Sequence, residues 1–77
     1  MNDTTLLQHI NELVEEEQRL RANTARAAEH SERIQHLAEA LDQCWDLLRQ
    51  RRAKRAIGED PDQAHLRDVE TVESYLN

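Results

Sequence analysis

Two aromatic residues, one glycine, one proline and one cysteine in 77 residues exclude more than they permit. A β-sandwich or barrel needs recurrent turn signals and β-branched or aromatic runs, and this sequence has neither. One glycine cannot make a glycine-rich phosphate loop. One cysteine cannot close an internal disulfide, so the usual staple of a small domain is absent, and the lone thiol suits a reducing compartment. No window approaches 18 consecutive apolar residues, and the first ten residues hold no basic segment followed by an apolar run. Neither a membrane span nor a signal peptide is expected, and the cytoplasm is the expected location.

What remains is rich in Leu, Ala, Glu, Gln and Arg, residues that lose little rotamer freedom in a helix. Leu6, Ile10, Leu13 and Leu20, with Glu17 between the last two, alternate steps of four and three and so share one helical stripe; Leu7 and Val14 widen it. Asp3 or Thr4 is the expected cap. Glu15–Arg19 and Glu17–Arg21 are acid-first pairs one turn apart. A second stripe runs through Ile34, Leu37, Leu41, Cys44 and Leu48, widened by Ala38, Trp45 and Leu47. Gln35, Glu39, Asp42, Gln43, Asp46 and Arg49 read as its solvated face. Gly58 supplies a left-handed cap.

The pattern predicts helices over about residues 4–28 and 31–57, with Ser31 capping the second and the turn near 28–31. An earlier break around Asn23–Thr24 is the alternative. Residues 1–57 then form an antiparallel hairpin, and 58–77 an acidic tail. In that tail Asp60 and Pro61 start a short turn, and Asp68 or Thr71 caps a last helix with an apolar edge of Val69, Val72, Tyr75 and Leu76.

The expected fold is all-α. A bare hairpin leaves part of each stripe in water, which predicts a homodimer forming a four-helix bundle, or docking on another, unidentified protein. Ile10, Leu13, Leu41, Trp45 and Leu48 are the expected interface residues. Charge is blocked along the chain: residues 1–48 carry −6, residues 49–57 carry +5 and residues 58–77 carry −5. Arg51, Arg52 and Arg55 are therefore expected to complement an acidic partner or the acidic tail.

Other chemistries fit less well. The 49–55 block could contact phosphates through counterion release, but it lacks stacking aromatics and acidic segments flank it, so nucleic acid is not the expected partner. A calcium loop begun at Asp60 would meet Ala64 where an oxygen is needed, His65 where glycine is needed and Thr71 where glutamate is needed. Asp62, His65 and Asp68 share a helical face but read as solvated caps rather than a metal set. Cys44 lies on the apolar stripe with no base within a turn, so it reads as a packed thiol. No nucleophile–base spacing is present, and neither an enzyme nor a cofactor is expected.

The run Leu41-Asp42-Gln43-Cys44-Trp45-Asp46-Leu47-Leu48-Arg49-Gln50-Arg51-Arg52-Ala53 is followed by Gly58-Glu59-Asp60-Pro61, Ala64-His65, Arg67-Asp68, Thr71-Val72-Glu73 and Tyr75. With these landmarks the sequence resembles a family of small, mostly actinobacterial proteins of unknown function, of similar length. The resemblance extends more loosely over Ile10–Glu17. A calmodulin-like label is sometimes attached to such proteins, but this sequence departs from the EF-hand pattern as described. The resemblance implies no activity and carries over no binding residue.

Overall fold

A computed structural model describes residues 2–23 and 26–76, and their side chains except those of Ala27, Tyr75 and Leu76. The elements are α1 (Asp3–Ala22), α2 (Ala27–Ala56), a 3-10 turn (Pro61–Gln63) and α3 (Val69–Leu76). The described residues form helices and connections, with no strand. No helix is long and apolar enough to cross a membrane.

The first cap is Asn2, whose Oδ1 accepts from the Thr5 amide at 2.8 Å. The expected Asp3 or Thr4 cap is thus displaced by one or two residues, which frees the Asp3 carboxylate for another use. α1 ends at Ala22 with Asn23 as its C-cap, so the chain leaves the helix well before residues 28–31. Thr24, in the alternative break, lies outside the described residues. Ser31 does not start the second helix. Its hydroxyl donates to the Ala28 carbonyl at 3.1 Å from inside α2, the back-bonding by which a serine is accommodated within a helix. α2 ends in a Schellman arrangement. The Glu59 amide donates to the Lys54 carbonyl at 2.8 Å and the Gly58 amide to the Arg55 carbonyl at 3.2 Å, with Gly58 at φ +78°.

α1 and α2 pack antiparallel along their apolar stripes. Leu6, Ile10, Leu41, Cys44, Leu47 and Leu48 form the buried cluster, with Leu13, Val14 and Ala64 packed against it. Ala64 belongs to the tail, so the tail is part of the core. α2 is the central element, with α1 on one side and the 3-10 turn and α3 on another. The molecule measures 50 × 26 × 14 Å, a thin slab in which these parts lie side by side rather than around a common axis.

The tail is closed by local chemistry. Asp60 Oδ1 accepts from the Asp62 amide at 2.9 Å and starts the 3-10 turn, with Pro61 at its first position. Asp68 Oδ1 accepts from the Thr71 amide at 2.8 Å and caps α3. These hydrogen bonds hold the Asp68 carboxyl below the usual range. Val72 is fully buried. Tyr75 and Leu76, expected on the same apolar edge, have side chains outside those described.

Candidate functional site

The stripe that begins at Leu37 and runs through Leu41, Cys44 and Leu48 continues with the same spacing to Arg51 and Arg55. Helical geometry therefore aims two guanidinium groups at α1. Arg51 is 7 % exposed, too buried for a cation without partners. Its Nε donates to Asp3 Oδ1 at 2.7 Å, and its Nη1 donates to Asp62 Oδ1 at 2.9 Å and to the Pro61 carbonyl at 3.3 Å. Arg55 donates to the other oxygen of Asp3. Hydrogen bonds from Arg55 and Arg51 lower the Asp3 carboxyl to about 2, and Asp3 and Asp62 raise the Arg51 guanidinium above its ordinary value. Lys54 pairs with Glu59 at 3.3 Å. Three of the five cations of the 49–57 block are therefore used within the chain. Arg49 and Arg52 are exposed and make no ion pair among the described residues.

The supposed solvated face of α2 has a second use. Gln43 Nε2 donates to the Arg67 carbonyl at 3.0 Å, and Gln50 Nε2 donates to the His65 carbonyl at 2.7 Å. Asp46, expected at the surface, is 5 % exposed; it accepts from Gln50 at 2.9 Å and pairs with Arg67 at 3.4 Å. Gln43, Asp46 and Gln50 recur every three or four residues, so they form one polar track that grips the extended segment 64–68. Sequence reading missed this track, along with Asp3 and Arg67. The signal available was the spacing of the three polar residues, matched to a tail whose backbone has no helix or sheet partner of its own.

The expected interface residues divide. Ile10, Leu41 and Leu48 are buried in the chain's own core, and Leu13 packs against it. An interface through them would have to open that core. Trp45 is different: it is 42 % exposed, halfway along α2. Arg51 meets the acidic tail at Asp62 and also the start of α1 at Asp3. Arg55 meets Asp3, and Arg52 makes no ion pair among the described residues.

An uncompensated acidic group lies at the seam of α2 and α3. Glu73 faces Asp42 and Glu39, and its Oε1 is buried without a hydrogen-bond partner. The Asp42 carboxyl, then burial, push Glu73 above the ordinary carboxylate range. No ion pair reaches Glu39, Asp42 or Glu73 from a described residue. Burial also raises the Cys44 thiol. The oxygens of Asp62 and Asp68 in the tail serve Arg51 and the α3 cap. Among the described residues no group of His, Cys, Asp and Glu is arranged to hold a metal.

The architecture is that of a small all-helical protein built on one long helix that carries both its hairpin partner and its tail. Residues 2–77 match the family model described as protein of unknown function (DUF2630), and the chain belongs to that family. It is similar to the uncharacterized protein Rv0898c of Mycobacterium tuberculosis and the uncharacterized protein Mb0922c of Mycobacterium bovis. Each is 44 % identical over 77 residues, covering 95 % of this chain and 88 % of the relative. No solved structure matches. Neither the family description nor these names carry an activity.

Proposed function

We propose that the protein is a small non-catalytic interaction module that docks another protein surface through the outer face of α2, centred on Trp45. The observation that carries this reading is the exposed indole. The large apolar side chains around it are consumed by the chain's own core, yet Trp45 stays half in water beside two cations, Arg49 and Arg52, that no described residue neutralises. Tryptophan and arginine are enriched among residues that dominate binding energy.

The argument for a dimer changes its footing. A bare hairpin would need a second hairpin to cover its stripes, but here the tail covers one side of α2. Self-association then falls to the Trp45 face rather than to Ile10, Leu41 and Leu48. The nucleic-acid reading of the 49–55 segment weakens, because Arg51, Lys54 and Arg55 already have carboxylate partners.

The test is association measured by light scattering and cross-linking, for the isolated protein and in extract of its native cells. Wild type is compared with Trp45→Ala and with the surface control Leu66→Ala. Loss of the bound species in Trp45→Ala alone is expected. Equal recovery by all three proteins would overturn the reading.

A further inference from the structure

The face around Trp45 has an order of its own. Ala38, Asp42, Trp45, Arg49, Arg52 and Ala56 follow each other at steps of four, three, four, three and four. Each is one residue past a member of the stripe Leu37, Leu41, Cys44, Leu48, Arg51 and Arg55, buried as far as Arg51. The six therefore form a second seam beside the core, with the spacing by which helices pair. Ala38 and Asp42 are half-buried and the other four exposed. At 1.5 Å per residue the seam is roughly 27 Å long.

Read in reverse about Trp45, the part of this seam from Ala38 to Arg52 is its own complement. When two copies of α2 are laid antiparallel with Trp45 against Trp45, Arg49 of each lies across from the partner's Asp42. Arg52 of each lies across from the partner's Ala38, a small residue that leaves room for the long side chain. The unpaired charges match as well. Arg49 and Arg52 have no anion among the described residues, and the Glu39, Asp42 and Glu73 group has no cation from a described residue. Two-fold symmetry carries Arg49 of each copy to Asp42 of the partner subunit.

We infer that a second copy of this chain occupies the Trp45 face, in an antiparallel α2–α2 pairing that joins Arg49 of each subunit to the partner subunit's Asp42. The inference rests on the reading of that face as a docking surface and names its occupant. The contact is isologous, so it closes at two copies and does not propagate. It brings two hairpins together as four long helices in which α1 and the tail keep their places. A single helical seam is at the small end of protein interfaces, so the dimer forms reversibly with concentration.

Sedimentation equilibrium over low micromolar to millimolar protein tests this, with circular dichroism verifying helix content for each variant. Wild type is expected to pass from monomer to dimer, with the emission of its single Trp shifting to the blue as the dimer fills. Arg49→Asp and Asp42→Arg are each expected to be monomeric across the range. The double variant Asp42→Arg/Arg49→Asp is expected to recover the dimer, because the reversed charges face each other again. A wild-type protein that stays monomeric at every concentration overturns the inference. If Trp45→Ala then still abolishes capture of a different protein, the docking reading stands without self-pairing. A dimer indifferent to Trp45→Ala and to Arg49→Asp overturns the geometry.

Discussion

Arg51 and Asp3 are joined across 48 residues of chain by a hydrogen bond of 2.7 Å, and the same guanidinium holds Asp62. The start of α1, the last turns of α2 and the start of the tail therefore share one buried cation.

The pH dependence of this contact has a definite sign. The folded-state carboxyl of Asp3 is lowered to about 2 from an ordinary 3.8. Its stabilising share is thus fully present above the ordinary value and is lost as pH falls from there through about 2. Asp3→Asn should lower the melting temperature at neutral pH and flatten the acid limb of the stability curve. Arg51→Ala should lower it further, because it also strands Asp62. Arg52→Ala, which breaks no ion pair among the described residues, should leave it unchanged. Thermal melts by circular dichroism from pH 2 to 7 check all three.

Glu73 has the opposite sign. Its carboxyl is raised by Asp42 and by burial, so its favourable share is present at low pH and is lost as pH rises through its folded-state value. Glu73→Gln should tighten α3 onto α2 at neutral pH and remove the gain that wild type shows on mild acidification. Amide exchange in residues 69–74, compared at pH 5 and pH 7, reads this directly. Exchange that speeds up in the variant at neutral pH would contradict the assignment.

The two halves of the Leu41–Leu48 run should respond differently to truncation. Leu48 is 1 % exposed, and Leu48→Ala should cost about 2–5 kcal/mol through lost burial and the cavity left behind. Trp45→Ala should cost less in the monomer, because much of the indole is already in water. Urea unfolding at a concentration low enough to exclude association separates the two values.

The helical stripes and the all-α fold were legible because periodicity is local: one residue every three or four suffices to place Leu37, Leu41, Cys44 and Leu48 on a face. The turn was displaced by Ala27 and Ala28, which continue a helix readily, and by Ser31, which resembles a cap but bonds inside α2. Arg51 looks like Arg52 in a basic run. Only the continuation of the apolar stripe to position 51 separates the buried cation from the exposed one. The polar track was illegible for a different reason. Gln43 and Gln50 bind the carbonyls of Arg67 and His65, and a backbone acceptor leaves no mark in the side-chain sequence.

Gln50 makes that track testable. Its amide donates to the His65 carbonyl and to Asp46, and its carbonyl accepts from the His65 amide at 3.4 Å. Gln50→Ala should destabilise by on the order of 1–2 kcal/mol, since each such hydrogen bond contributes about 1 kcal/mol net. The loss should be concentrated in the tail. Amide exchange should accelerate across 64–74 and stay near wild type in α1; uniform acceleration along the whole chain would refute a local clamp.

The Arg51 contact also fixes an order of events. Glu16 and Arg33 meet near the turn, across 17 residues, by a bidentate pair at 2.9 and 3.0 Å. Asp3 and Arg51 meet only after 48 residues have been gathered in, and closure entropy rises with loop length. Loop length alone therefore predicts that the hairpin zips from its turn toward its open end, with the three-way ion contact fastening after the rate-limiting step. A clasp made last acts on escape rather than on search. Asp3→Asn should speed unfolding while refolding keeps its wild-type rate, and Glu16→Gln should slow refolding instead. On that expectation the first carboxylate of α1 governs the lifetime of the folded chain and not the speed of its making.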